Sequence, residues 1–235
     1  MSDHPFGHSS KNAYEHVLVR GREAQYDILI ADRPEAGVEH AAKLLQAELK
    51  KLSNCSFPIV REARRGRGII SIGNTSSTHQ LDNLTPDLGQ EGYELISSTR
   101  AIYLRAAHPM GQVNGVLAFL EEDLGVRWWG NQTNQTYYPQ KSPLAVKIAS
   151  RSSKPAFEYR EPYYSAIRGK HYIDHNRLRS SRGVARIASE PWQPYKLYPS
   201  GYEKHTFLNF VPGSEFGKSN PEFYSERNGT RIVPN

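Results

Sequence analysis

Apolar residues recur at two different spacings in the first part of the chain, and the spacing predicts where helices and strands lie. Residues 26–32, YDILIAD, are a short apolar run that ends at Asp32 and is followed by Pro34, which is typical of a buried strand. Residues 34–53 then carry apolar side chains every three or four positions, which predicts a helix. Proline in the first turn and nearby acidic residues suit a helix N-terminus.

The residues between and after these elements are rich in strand formers. Short runs of β-branched and aromatic residues, bounded by glycine, asparagine or charged turns, predict strands. Alternation about the polar turn SSTR is typical of a β-hairpin. The predicted strand regions, in chain order, are 57–63, 67–73, the hairpin 91–107, 126–129 and 145–150.

A second helix is predicted at residues 111–125. Five aliphatic side chains between Val113 and Leu124 form one apolar stripe, and Gly125 follows where a C-terminal cap belongs. The order of strand, helix, strands, hairpin and helix predicts an α+β fold, in which a mixed sheet carries its helices on one face.

The composition changes near residue 150. Residues 1–150 contain 32 Ile, Leu and Val and 11 aromatic residues, whereas residues 151–235 contain 10 and 14. The first part has 16 basic and 16 acidic residues and the second has 14 and 8, so the net charge of +6 lies entirely in the second part. We therefore predict an N-terminal extension at 1–23, a domain at 24–150 and a differently built segment at 151–235.

Several classes of protein are disfavoured by the sequence as a whole. Cys55 is the only cysteine, which excludes an intramolecular disulfide and a cysteine-based metal cluster. No run of about 18 apolar residues exists, so no membrane-spanning helix and no membrane partner is expected. The start of the chain lacks the basic and apolar runs of a secretory signal, so a cytoplasmic location is expected unless the true start lies upstream.

Four arginines, Arg61, Arg64, Arg65 and Arg67, crowd one turn and raise the alternative of nucleic-acid binding. Residues 1–150 carry no net charge, however, and no aromatic residue is interleaved with these arginines. A solvated turn and no nucleic-acid partner are therefore expected.

His171 and His175 are four residues apart, and His205 could provide a third ligand for zinc. The motif lacks the glutamate of a metalloprotease helix, so a solvated helix face is expected instead. We expect neither a metal nor an organic cofactor.

The segment Gly111–Pro139, GQVNGVLAFLEEDLGVRWWGNQTNQTYYP, is the most specific part of the sequence. It resembles the N-terminal domain of α-glucuronidases of glycoside hydrolase family 67, and more closely the glycoside-hydrolase-like proteins grouped as domain of unknown function 4838. KPAFEYREPYY (154–164), HNRLR (175–179) and residues 205–231 resemble the opening of that family's barrel domain. The likeness covers roughly residues 24–231.

This resemblance implies an accessory domain similar to those of hexosaminidases and α-glucuronidases, followed by a (β/α)₈ barrel that acts on polysaccharide-derived glycans, uronic-acid-bearing ones among them. Such a barrel takes about 250 residues, and residues 155–235 supply about a third of that, so we expect its incomplete start. The alternative is a non-catalytic carbohydrate-binding or interaction module.

Catalysis by this chain is not expected. Glycoside hydrolysis normally needs two carboxylates that flank the scissile bond. None of the acids considered in the barrel segment matches a catalytic position of the family; they are Glu158, Glu161, Asp174, Glu190 and Glu222.

The resemblance makes Arg160 and Glu161 candidates for substrate contact, because they would lie at the end of the first barrel strand. The Arg160 guanidinium could donate paired hydrogen bonds to sugar hydroxyls or to a uronate carboxylate, with a structural ion pair as the alternative. For Glu161 a salt bridge to Arg160 is the favoured interpretation.

Four further candidates for carbohydrate contact complete the set. Asn176, Arg177 and His205 match family positions near the tops of the next barrel units, where they could line the same pocket. Trp128 and Trp129 are adjacent, so they point to opposite sides of a strand and one of them is expected in the core. Trp129 is the candidate for stacking on a sugar ring.

Overall fold

A mixed six-stranded β-sheet with two helices on one face forms the centre of the computed structural model, which describes residues 13–162, 164, 169–179 and 206–234. The strand order in this sheet is β11-β6-β7-β5-β3-β4, and a second sheet has the order β10-β1-β2. Strands β4, β3, β5 and β7 run parallel, whereas β6 and β11 are antiparallel to their neighbours. The predicted α+β class with a mixed sheet is confirmed.

The strands have the following bounds: β1 Ala13–Arg20, β2 Glu23–Ala24, β3 Tyr26–Leu29, β4 Ile59–Val60, β5 Gly68–Ile72, β6 Tyr93–Ser98, β7 Ala101–Arg105, β8 Arg127–Trp128, β9 Thr136–Tyr137, β10 Leu144–Ala149, β11 Arg151–Ser153, β12 Glu226–Arg227 and β13 Thr230–Arg231. The helices are α1 Ala36–Ser53, α2 Pro109–Ala118, α3 Lys170–His175, α4 Phe207–Phe210 and α5 Gly213–Phe216. Short 3₁₀ turns occur at Ser76–Thr78, Thr133–Gln135 and Pro221–Phe223.

The main core lies between the large sheet and the two long helices. Ile28, Ile70 and Ile102 are aligned in register across three parallel strands and are fully buried. They belong to one apolar cluster with the inward faces of α1 and α2. The opposite sheet face holds a smaller cluster around Leu29 and Tyr103. Both long helices therefore pack on one face of the sheet, as predicted.

The two long helices approach each other closely. A Cβ atom on Gly37 would lie 2.3 Å from the Cβ of Pro109, so only glycine fits where the two helix N-termini meet. After α2 the chain continues as one π-helical turn, Phe119–Asp123, in which the Leu124 amide donates to the Phe119 carbonyl. The predicted cap residue Gly125 follows with a φ of 84°.

The predicted N-terminal extension, residues 1–23, contains part of the fold. Strand β1 pairs antiparallel with β10, and Leu18 and Val19 are buried in the main core. The eight-residue strand escaped prediction because polar residues interrupt its apolar positions. The boundary near residue 150 stays a prediction, as does a barrel in the segment that follows.

No helix in the described ranges is both long enough and apolar enough to cross a membrane.

His16 joins the two sheets from a fully buried position on β1. Its Nδ1 lies 2.9 Å from the Tyr26 hydroxyl and its Nε2 lies 2.8 Å from the Ser97 hydroxyl. A neutral imidazole satisfies both contacts, since one nitrogen donates and the other accepts. Burial lowers the pKa of His16 to about 4, so the folded protein holds this side chain neutral.

Asp27 is a fully buried carboxylate on β3, and it explains the arginine-rich turn. Arg64 donates to both of its oxygens, at 2.6 and 2.5 Å, and Arg67 Nη2 donates to Oδ1 at 2.9 Å. Burial alone would raise the pKa of Asp27, but the hydrogen bonds and charges of the two arginines outweigh it and hold the pKa below its usual value. The turn is exposed, as predicted, but Arg64 and Arg67 also serve as the counter-charges of a buried carboxylate.

His16 predicts a loss of stability in mild acid. The unfolded chain binds a proton on this histidine near pH 6.5 and the folded chain near pH 4, so stability is highest above pH 6.5 and falls as the pH drops. We expect the free energy of unfolding to decrease by about 2 kcal/mol from this group between pH 7 and pH 5. Urea unfolding at several pH values measures this, and His16→Gln should remove that part of the pH dependence. His79→Gln, at an exposed position, should leave it unchanged.

Removal of the Asp27 carboxylate should destabilise the sheet. Asp27→Ala would leave Arg67, which is 28% exposed, without its buried counter-charge, and we expect a loss of about 3 kcal/mol. Thermal or urea unfolding measures the difference. Asp32→Ala changes an exposed aspartate at the end of the same run and should cost less than about 0.5 kcal/mol. Equal stability of the two variants would contradict the structural role of Asp27.

Candidate functional site

Three carboxylates that lie before the predicted boundary near residue 150, in what we call the first domain, bind three arginines of the residues that follow it. We call this set the junction: Glu91, Glu121 and Glu122 on one side, and Arg160, Arg177 and Arg179 on the other. Two of the carboxylates lie in the π-helical turn after α2, and Glu91 lies just before β6. The junction contains two of the arginines and none of the acids that the sequence suggested for carbohydrate contact.

Arg160 uses its guanidinium to hold the local structure together. It is ion-paired to Glu91, and its Nε and Nη2 donate to the Arg177 carbonyl at 3.1 and 2.9 Å. Its Nη1 donates to the Phe157 carbonyl at 2.5 Å. The structural ion pair, which was the alternative interpretation for Arg160, is therefore present, and a sugar would have to replace one of these partners.

Glu161 does not pair with Arg160, and the favoured salt bridge between them is wrong. Adjacent residues in an extended chain point to opposite sides, so Arg160 turns toward Glu91 instead. Glu161 accepts a hydrogen bond from the Tyr159 hydroxyl at 2.5 Å.

The backbone of Arg160 forms an antiparallel bridge with that of Arg179, whereas neighbouring strands of a (β/α)₈ barrel run parallel.

Asn176 and Arg177 both fasten the segment to the first domain. The Asn176 side chain donates to the Trp128 carbonyl at 3.1 Å and to the Tyr172 carbonyl at 3.0 Å. Arg177 donates to Glu121 at 2.5 Å and to Glu122 at 3.2 Å. Its φ of 54° is in the left-handed region, as expected where α3 ends and the chain reverses. His205, the other predicted residue of this set, lies outside the described residues.

The tandem tryptophans point in opposite directions. Trp128 is 3% exposed and Trp129 is 68% exposed, as alternation along a strand predicts. Arg127 pairs with Tyr137 in the β8–β9 ribbon, and paired residues share a face. Trp129 is two residues after Arg127 and so lies on that face as well. Trp129 and the exposed Tyr137 therefore lie on the same outer face, which we call the aromatic ribbon.

The histidines of α3 face the first domain rather than solvent, in contrast to the expectation. The ring of His175 lies 5.0 Å from that of Trp128 and 4.3 Å from that of His171. Burial lowers the pKa of both histidines, which favours their neutral forms. Within the described ranges no cluster of three or more potential ligands could hold a metal ion.

A cleft beside the junction was not predicted from the sequence. Its walls are Asp87–Glu91 and Lys154–Glu158, Arg179 also lines it, and its volume is about 520 Å³. We call it the junction cleft. An ion pair of 2.6 Å between Asp87 and Lys154 joins the two walls. Phe157 in KPAFEY was the available signal in the sequence, but its exposure depends on the fold.

The family comparison matches residues 130–233 to a domain of unknown function, DUF4838. This match includes the Asn176 and Arg177 side of the junction but covers less than half of the chain. The predicted resemblance to the DUF4838 group is thereby confirmed for these residues, whereas the relationship to family 67 stays a prediction. No curated protein sequence matches the chain.

Several of the solved structures that match the chain are glycoside hydrolases of family 20. The β-N-acetylhexosaminidase from Streptomyces coelicolor is 14% identical with a TM-score of 0.45, covering 79% of this chain and 31% of its own. The exo-β-N-acetylglucosaminidase from Vibrio harveyi is 17% identical with a TM-score of 0.39, covering 66% and 18%. The N-acetyl-β-hexosaminidase from Streptomyces plicatus is 16% identical with a TM-score of 0.42, covering 65% and 25%. The chain spans less than a third of the length of each.

Glu91 should control how firmly residues 154–179 hold to the first domain. It is 10% exposed and binds both Arg160 and Arg179, so Glu91→Ala leaves two arginines without that partner. We expect backbone amides between residues 169 and 179 to exchange at least tenfold faster with deuterium, while those of α1 keep their protection. Glu62→Ala, at an exposed turn position, should change neither. Unchanged exchange in Glu91→Ala would show that the junction does not depend on this carboxylate.

Proposed function

We propose that this chain is the accessory domain and the beginning of the barrel of a glycoside-hydrolase-like protein that acts on polysaccharide-derived glycans. The observation that carries the proposal is the aromatic ribbon, where Trp129 and Tyr137 are 68% and 54% exposed on one face. Exposed aromatic rings on a fixed backbone suit the apolar faces of pyranose rings, because the stacked ring loses little conformational entropy on binding.

The backbone below the ribbon is well anchored. Trp128 is buried in the main core, and the Trp129 amide donates to the Gln135 carbonyl at 2.9 Å. The Arg127 guanidinium donates to the carbonyls of Glu121 and Val126. A ligand stacked on Trp129 would therefore meet a preformed surface.

The predicted substrate-binding set is retained as part of this proposal. Arg160 and Arg177 belong to the junction, Asn176 is adjacent to Arg177 in the chain, and the resemblance suggests the same role for Glu161 and His205. Uronic-acid-bearing glycans are candidate substrates, since guanidinium groups bind carboxylates through paired hydrogen bonds. Arg160 and Arg177 would have to exchange present partners for the sugar.

We also propose that this chain has no hydrolytic activity of its own. Glu91, Glu121 and Glu122, the acids of the junction, are engaged by arginines, so their oxygens are not free to flank a scissile bond. Glu161 is held by Tyr159. The pair of free carboxylates that hydrolysis requires would come from a part of the barrel outside these residues.

A second candidate function is a non-catalytic carbohydrate-binding module. The location of both ribbon residues within the first domain favours it, because binding there would not need a barrel. The two functions share their ligand class, and they differ in whether a complete barrel hydrolyses the bound glycan.

Binding to the aromatic ribbon can be tested with the 235-residue chain. Trp129→Ala should weaken oligosaccharide binding about tenfold, and Tyr137→Ala less, because loss of an indole face removes about 1.4 kcal/mol of stacking. Isothermal titration calorimetry with xylan-derived and chitin-derived oligosaccharides measures this. Phe223→Ala, at a 46% exposed aromatic residue, serves as the control and should bind normally. Equal binding by all variants would exclude the ribbon, and release of sugar from aryl glycosides or aldouronic acids would disprove the absence of catalysis.

A further inference from the structure

The junction cleft has two walls that belong to different parts of the chain. One wall is the turn Asp87–Glu91 before β6, and the other is Lys154–Glu158 after β11. The Lys154 ammonium donates to the carbonyl and to the carboxylate of Asp87, at 3.0 and 2.6 Å. The volume of the cleft, about 520 Å³, is within the range of about 300–1,000 Å³ that small-molecule sites occupy.

An aromatic ring lies at the edge of this cleft. Phe157 is 74% exposed, although its backbone carbonyl accepts a hydrogen bond from Arg160. The side chain therefore leaves a large apolar surface in water on a backbone that is held in place. Such exposure is costly for an isolated residue but suits a ligand with an apolar face.

The charged groups around the cleft balance one another. The acids are Asp87, Glu91 and Glu158, and the bases are Lys154, Arg160 and Arg179. Asp87 pairs with Lys154, and Glu91 pairs with both arginines. A ligand with a net charge would meet groups of both signs in the cleft, whereas hydroxyl groups can donate to the carboxylates and accept from the cations.

We propose that the junction cleft is a binding site for a short uncharged saccharide, separate from the aromatic ribbon. Phe157 stacks on one sugar ring, and Glu158 with the Asp87–Lys154 pair binds its hydroxyl groups. The site deepens the proposed function by giving the same protein a second contact with a glycan, and it rests on that function for the ligand class. Because both parts of the chain line the cleft, a bound saccharide bridges them.

Nitrogen-15 NMR of the whole chain tests this proposal, since it locates each site separately. The probes are the neutral tetrasaccharides of xylose, glucose, mannose and N-acetylglucosamine, with tetragalacturonate as the charged counterpart. We expect amide shifts in residues 87–91 and 154–158 with at least one neutral probe, and at least tenfold weaker binding there by the uronate. Phe157→Ala should weaken the cleft response about tenfold. Tyr164→Ala removes an equally exposed aromatic ring and should leave it unchanged.

The outcomes separate the two proposals. Shifts confined to Trp129 and Tyr137 would overturn the cleft site while supporting the ribbon, and a cleft response that survives Phe157→Ala would also overturn it. Tighter binding of the uronate in the cleft would disprove the uncharged ligand. No response anywhere to any probe at 10 mM, roughly the weakest affinity of interest, would refute the cleft and the ribbon together.

Discussion

Paired charges hold the described residues between 154 and 179 against the first domain, and the pairing of Glu91 with Arg179 and Arg160 includes the most buried of them. Few aliphatic residues occur in this stretch, so apolar burial contributes little to holding it in place. Ion pairs and hydrogen bonds do so instead, and they are partly buried, with Glu91 only 10% exposed. Paired charges in such surroundings are specific in geometry, because either partner alone would carry a large desolvation cost.

The same physical pattern recurs inside the first domain. Asp27 is fully buried because Arg64 and Arg67 neutralise it, and Glu48 is buried because Lys51 and Tyr138 donate to it at 2.7 Å each. In each case a carboxylate connects elements that are distant in sequence. The aliphatic core sets the layers of this fold, and these satisfied acids fix how loops and edges attach to the layers.

The elements with strong periodicity were predictable from the sequence. The two long helices, the hairpin and the strand beginning at Tyr26 were correctly placed, because each depends on local spacing of apolar residues. Strand β1 was missed, since it is recognised only by its pairing with β10, 125 or more residues later. The π-helical turn was missed for a related reason: its sequence continues the helical stripe, and only the fold shows the widened turn.

The site residues show where sequence reasoning reaches its limit. The division of Trp128 and Trp129 into a buried and an exposed residue follows from strand alternation alone. The partners of Arg160 and Arg177 cannot be deduced from local sequence, because Glu91 and Glu121 are separated from them by more than fifty residues. The charges were visible in the sequence, but their pairing depends on tertiary contacts.

The tandem tryptophans connect the junction to the aromatic ribbon through a single strand. The His175 ring packs against the Trp128 ring, and the Asn176 side chain donates to the Trp128 carbonyl. Trp129, one residue later, faces solvent. Alternation makes this division of roles unavoidable for two adjacent strand residues. The contacts of the later segment with Trp128 are therefore made to the same stretch of backbone that presents Trp129, so one short strand carries both the inner contact and the outer aromatic face.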